Sequence, residues 1–293
     1  MSFKLWSIDK PMYLRGVLPF FQSEATFTSS ELAKITPTVG LSDSGRRIRH
    51  LTQSWYILGI LDRVREQNQA YRYSPSEFGE NLLNELQFNS SLAIEFAHWV
   101  YYSAWLRSPD FQWGWSWVYQ EVCDVMWGSS PSRIVPKKLM ADTVEKANLL
   151  FPEQAPSFDV LSIRSVMAWL AAMEPPFLIK KDMADPNSPL SSRKRENCSP
   201  ELLFLAIQLQ YQAKGLPFGT SLLMDEVLIE AVCKVCMLAP EQFWPMAEIC
   251  SLTFPSLERK ETLYGTSLMI TEAAPFTPPE PRPLKASPEQ EIR

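Results

Sequence analysis

The sequence predicts a mainly α protein: an N-terminal winged helix-turn-helix followed by an α-helical, bundle-like C-terminal region. Three observations predict it. A basic-faced helical stretch, a short hairpin and a capped helix succeed one another over residues 41–83. Apolar residues recur at helical spacing through most of the chain beyond residue 83. Glycine is scarce, at 10 residues, and proline abundant, at 24, which suits short helices separated by firm breaks.

The first helix is expected over about 11–22, with Pro11 tolerated in its first turn and Leu14, Val17, Leu18 and Phe21 on one face. Thr28-Ser-Ser-Glu31 is a capping box that opens a short helix through Ala33, ended by a turn at 36–40. A third helix covers about 42–58. Its Ile48, Leu51, Trp55 and Leu58 share an inward face. Arg46, Arg49, His50 and Gln53 fall on the other side, with Arg47 beside them. That split fits a recognition helix whose donors meet phosphates or base edges.

Gly59 stands where a helix end needs a permissive residue. Residues 60–64 and 71–73 then read as two strands joined by 65–70, the expected wing. Ser74-Pro-Ser-Glu77 is a second capping box, with proline at the first helical position. Between positions 41 and 75 six arginines (Arg46, Arg47, Arg49, Arg63, Arg65 and Arg72) face three carboxylates (Asp43, Asp62 and Glu66), in a chain whose net charge is −5. The expected nucleic-acid site is therefore a local patch. Arg46, Arg47, Arg49, His50 and Gln53 would enter a groove, and Arg63, Arg65 and Arg72 would touch the backbone.

Residues 91–106 and 113–127 read as two helices crowded with aromatics, among them Phe96, Trp99, Tyr101, Tyr102, Trp105, Trp115, Trp117, Tyr119 and Trp127. A base-stacking platform or ligand cage interleaves such rings with cations, and Arg107 is the one cation between positions 92 and 127. Both helices are read as core, and His98 as a core histidine.

Further helices are expected over 132–150, 158–173, 200–214 and 222–238, with a short strand at 177–180. A polar loop over 182–200 carries Arg193-Lys194-Arg195, read as solvated, and marks a sub-boundary. Cys233-Lys-Val-Cys236 lies inside a helix with no second pair nearby, so it is read as structural rather than zinc-binding or redox-active. The last ordered stretch covers 241–269, with a final strand at 264–270. Residues 275–293 hold six prolines and no apolar period, so they are expected to be disordered or polyproline-like. The expected domains are 1–88 winged helix-turn-helix, 89–274 helical, and 275–293 tail.

Neither G-x-G-x-x-G, the P-loop, H-E-x-x-H nor G-x-S-x-G occurs, and two histidines leave little for a triad or metal centre. The chain is expected to be non-enzymatic, without cofactor or metal. The five cysteines, an odd number with no framework spacing, and the absence of an apolar leader or a long apolar run point to the cytoplasm, with no membrane span.

Tyr71-Arg-Tyr-Ser-Pro-Ser-Glu-Phe-Gly79 resembles a Y-x-L-T-x-x-G wing exit, and the aromatic helix pair comes after it. With Cys198-Ser-Pro-Glu201 and Gly265-Thr-Ser-Leu268, the layout is similar to a bacterial winged-helix family of unknown function. Its genes often lie beside DNA-phosphorothioation or phage-defence genes. Ser74 replaces that family's threonine, and Phe20-Phe-Gln-Ser-Glu24 stands in place of its phenylalanine-histidine-glutamate-rich opening. The resemblance implies a DNA-modification or defence setting without naming an activity.

The expected function is that of a double-stranded-DNA-binding regulator, or the recognition subunit of a defence or DNA-processing system. The alternative is a protein–protein adaptor or assembly subunit, and a third reading makes the aromatic core a small-molecule sensor.

Overall fold

In a computed structural model the residues described are Pro11, 26–35, 52–53, 55–64, 70–88, 90–107, 114–154, 156–180 and 189–282. Short strands organise them as much as helices do. Near the amino end, β1 (Phe27–Thr28), β2 (Leu61–Val64) and β3 (Arg72–Pro75) form an antiparallel sheet in the order β1-β3-β2. Phe27 stands opposite Tyr73, and Val64 opposite Arg72.

Helix α1 (Ser29–Ile35) starts on the expected box: the Thr28 amide donates to Glu31 Oε2 at 2.5 Å, and the Glu31 amide to Thr28 Oγ1 at 3.2 Å. The second box works differently. Ser74 and Pro75 stay in β3, opposite Asp62 and Leu61, and Ser76 becomes the cap of α2 (Glu77–Phe88). The Ser76 hydroxyl accepts from the Gly79 amide at 2.9 Å and donates to Gly59 O at 2.5 Å. A Cβ on Gly79 would stand 1.9 Å from Ile60 O, so only glycine lets α2 approach the chain before β2 this closely.

The body is built around α3 (Ser90–Arg107), which packs against α2, α4 (Gly114–Gly128) and α7 (Pro200–Lys214). Aromatics fill that interior as expected: Trp99, Tyr101, Tyr119 and Trp169 are all fully buried. Helices α5 (Pro136–Leu150) and α6 (Val160–Ala172) flank it, and a second antiparallel sheet joins β4 (Ser132–Arg133), β5 (Leu178–Lys180) and β6 (Leu190–Ser192) in the order β4-β6-β5.

The carboxyl half adds α8 (Glu226–Cys236), α9 (Phe243–Thr253) and a third sheet, β7 (Ser221–Leu223), β8 (Leu257–Thr262) and β9 (Gly265–Ile270), in the order β7-β9-β8. Ser199 and Asp225 cap α7 and α8. The Tyr211 hydroxyl ties α7 to this sheet, donating to Thr220 O at 2.6 Å just before β7 and accepting from the Ile270 amide at 3.1 Å, with Leu268 O 3.0 Å away.

Three three-stranded sheets make this a mixed α/β chain, which corrects the expectation of a mainly α protein opening on a winged helix-turn-helix. The reason is strand length. Strands of two or three residues, such as 27–28, 132–133 and 221–223, show no alternation to read. β8 reads LERKET, with one buried residue and five exposed, so it passes for part of a polar helix.

Two further expectations change. Within 182–200, residues 190–192 are a strand and Arg195 is 1% exposed, so the middle of that basic run is interior rather than solvated. The proline-rich tail, as far as Arg282, lies against the body. Phe276 packs on Phe96 and Phe254, with ring centroids 5.5 and 5.4 Å away. The Arg282 amide donates to Ile57 O at 2.8 Å. Pro279 lies over Gly59, whose φ of +74° already requires glycine. This strap joins the two ends of the chain.

Candidate nucleic-acid interface

Of the eight residues expected to contact nucleic acid, Gln53, Arg63 and Arg72 are described. Arg46, Arg47, Arg49, His50 and Arg65 lie outside the described residues. Residues 52–53 and 55–57 are helical, and Trp55, Ile57 and Leu58 pack inward, as the spacing of Trp55 and Leu58 required. They are tied to α1 by a 2.8 Å bond between the Thr52 and Ser29 hydroxyls. Gln53, between buried Thr52 and that apolar face, is half-buried.

Arg63, half-buried, leaves β2 on the face that buries Leu61 and stands opposite Tyr73 in the register. Its guanidinium carbon lies 4.1 Å from the centroid of the Tyr56 ring and 4.5 Å from that of Tyr71. Two stacked rings hold the planar group in one orientation, each at roughly 0.5–1 kcal/mol for an exposed pair. Among the described residues no acceptor hydrogen-bonds its nitrogens. Its edge therefore remains free to bind two oxygens side by side.

Arg72 is used differently. Its Nε and Nη2 donate to the hydroxyl and carbonyl of Thr26, both at 3.0 Å, and Nη1 stands 3.8 Å from Glu31. The Glu31 carboxyl is held below its ordinary range, first by the Thr28 amide and hydroxyl and then by Arg72.

Sequence reading missed three partners in this patch. Tyr56 and Tyr71 lie within the segment, but nothing in a sequence shows that they flank one arginine. Arg282 comes from the far end of the chain. It donates to Asp62 Oδ1 at 2.6 Å and to Leu61 O at 3.0 Å, and lies 5.4 Å from the Tyr56 centroid. No local pattern announces that contact.

The other groups capable of chemistry are enclosed. Glu95, His98 and Tyr102 form one buried stripe on α3. Glu95 pairs with Arg195 and accepts the Ser199 amide at 3.0 Å. His98 Nδ1 meets the Tyr119 hydroxyl and Nε2 meets Val235 O, both at 2.8 Å. Burial brings its imidazole down to about 3, so it is neutral and fully engaged rather than poised as a base.

Tyr102 donates to Asp124 at 2.5 Å, and burial raises that carboxyl to about 6. All five cysteines are free and buried. Burial pushes Cys233 up to about 12 and raises Cys236 too, which keeps the C-x-x-C pair as thiols. Among the described residues no three His, Cys, Asp or Glu side chains are arranged to hold a metal ion. No described helix is long and apolar enough to cross a membrane.

No protein-family model and no curated protein matches the chain. Among solved structures it is similar to the crystal structure of magnesium ion-bound SspB, with a TM-score of 0.60 over 90% of this chain and 80% of that one. At 12% identity that likeness shows a shared fold alone.

Proposed function

We propose that this chain is a non-enzymatic cytoplasmic protein that grips double-stranded DNA through its amino-terminal sheet and the basic segment between β1 and β2. In this reading it is a regulator or the recognition subunit of a defence or DNA-processing system. The observation that carries the proposal is Arg63: a guanidinium over the rings of two tyrosines, with no hydrogen-bond acceptor among the described residues. An arginine so prepared loses little freedom when it meets a phosphate. Arg46, Arg47, Arg49, His50, Gln53 and Arg65 belong to the same stretch of sequence and would add donors in this reading, while Arg72, engaged by Thr26 and Glu31, would add its charge. The acidic balance of the rest confines nucleic acid to that end. The resemblance to a family found beside phosphorothioation and phage-defence genes supports the setting.

The test is fluorescence anisotropy with a random duplex across a salt series. Affinity is expected to fall linearly in log–log form with salt, and the double variant R46E/R49E is expected to abolish binding while circular dichroism stays native. Absence of binding at low salt, or unchanged binding in that variant, overturns the proposal.

One observation favours the adaptor reading. The tip of the β8–β9 hairpin presents Leu263, 100% exposed, and Tyr264, 88% exposed. Two large side chains offered wholly to solvent suit a protein partner. A folded protein that ignores duplex DNA at low salt would leave that reading standing.

A further inference from the structure

Among the described residues, hydrogen-bond donors along one face of α3 reach no acceptor. Trp99, Ser103 and Arg107 are spaced four residues apart, so they share a stripe and rise about 6 Å per step. Trp99 is 1% exposed and Ser103 0%. Trp99 Nε1, Ser103 Oγ, and Nε and Nη2 of Arg107 are all buried and unbonded. Long side chains on a helix lean towards its amino end, so Arg107 reaches back past Ser103. Its guanidinium carbon comes to 4.7 Å from the Trp99 ring centroid. The guanidinium and the indole therefore meet near the carboxyl end of α3, with Ser103 on the turn of helix between them.

The strap closes the other side. Pro278 O and Pro279 O accept from Arg107 Nη1 at 3.3 and 2.9 Å. That occupies one corner of the fork and leaves the Nε–Nη2 edge, the pair of parallel donors that suits two oxygens of one anion. Among the described residues no carboxylate bonds Arg107. The charge felt there is that of Glu280, which is exposed and acts at a distance, while burial lowers the guanidinium to about 10. Native interiors rarely leave one such donor unmatched, let alone four together. An indole N–H and a guanidinium can only donate, so the missing complement is rich in acceptors. Donors arriving from three side chains suit a tetrahedral oxyanion better than a flat carboxylate.

We propose that Trp99, Ser103 and Arg107, under the strap at Pro278 and Pro279, form a binding site for a phosphate-class oxyanion. The site shares the strap with the amino-terminal patch, but its donors are none of the residues assigned to DNA and its test uses no nucleic acid, so the two proposals fail independently.

The test uses the full chain and inorganic phosphate at millimolar concentration, with chloride keeping ionic strength constant. Thermal unfolding and 31P line broadening are the readouts. Phosphate is expected to raise the melting temperature and to broaden the phosphorus line, with acetate doing neither. Ser103→Ala, which only deletes an unbonded hydroxyl, is expected to fold and to bind phosphate about tenfold more weakly. Arg107→Lys is expected to lose the effect, and Glu280→Gln to tighten binding about twofold.

Identical behaviour in phosphate and chloride overturns the proposal. So does a Ser103→Ala protein that responds to phosphate as the parent does, or an equal response to acetate. A Ser103→Ala protein that is more stable than the parent and indifferent to phosphate in both forms would identify the donors as packing defects.

Discussion

Arg63 in the amino-terminal sheet and Arg195 in the body are handled in opposite ways, and the contrast shows how this chain divides its charge. Arg195 is 1% exposed, and every arm of its fork is matched: Nε to Pro175 O at 2.9 Å, Nη1 to Cys236 O at 3.2 Å, Nη2 to Glu174 O at 2.8 Å and to the Glu95 carboxylate. Such a cation holds loops together and has nothing left to offer a partner. Arg63 is half-buried and stacked, yet no described residue accepts from it. Three carbonyls and a carboxylate make an arginine structural. Two ring faces position an arginine without consuming its hydrogen bonds.

The largest expected effect breaks the buried side of the comparison. Arg195→Met leaves Glu95 charged in the interior with only the Ser199 amide, and is expected to cost about 3–5 kcal/mol in urea unfolding. Adding Glu95→Gln is expected to recover much of that loss, because the removed partner then leaves no naked charge behind. Equal stability of the parent and Arg195→Met would mean that the pair does not hold 174–175 to the end of α8.

The second prediction concerns pH and the same buried stripe. Burial, and then the charge of Arg195, hold His98 at about 3, below its ordinary 6.5. The folded protein thus takes up this proton later than the unfolded chain does. Its contribution to stability is complete above 6.5 and is lost as pH falls from there towards 3, on the order of 3–5 kcal/mol in all. Asp124 opposes it: its carboxyl is raised to about 6, so folding favours its protonated form and stability is lost as pH rises from about 4 to 6. The difference between the parent and His98→Gln isolates the histidine. Urea midpoints of the variant are expected to be lower at pH 7.5, and to converge on the parent's as pH falls below 6.5. A constant gap across that range would sink the assignment.

How much of this was legible beforehand depended on whether a signal was local. The Thr28–Glu31 box, the inward faces of Trp55 and Leu58 and the aromatic core all follow from spacing within one element, and the structure has them. Of the three sheets, the β2–β3 hairpin, β5 and β9 stand close to where the sequence placed strands, but β1, β4, β6 and β7 are two or three residues long and pair across distances in the chain that carry no pattern, and β8 reads as polar helix. In the candidate interface the arginine content was readable, but the fate of each arginine was not. Arg63 and Arg72 sit nine positions apart in one basic segment, yet tyrosines flank the first while Thr26 and Glu31 engage the second. Burial of Arg195 depends on Glu95, a hundred positions away. The strap was hidden for another reason: a proline-rich tail looks unpackable until Phe276 and Arg282 find pockets and carbonyls made by other elements.

The smallest expected effect sharpens the exposed side. If stacking rather than charge alone prepares Arg63, Arg63→Lys should matter even though it keeps the positive charge. An ammonium on a flexible stem holds no plane between Tyr56 and Tyr71, and it cannot offer two parallel donors to one phosphate. The salt dependence of duplex binding counts charges, so its slope is expected to stay as in the parent. The affinity at fixed salt is expected to fall by roughly 0.5–1 kcal/mol, two- to fivefold, from the lost pre-ordering. Arg63→Ala should lose that amount and also flatten the slope by about one counterion. Anisotropy titrations of the three proteins against one duplex separate the contributions. If lysine matches arginine throughout, the tyrosines are packing for the sheet, and Arg63 acts as a charge like any other on the surface.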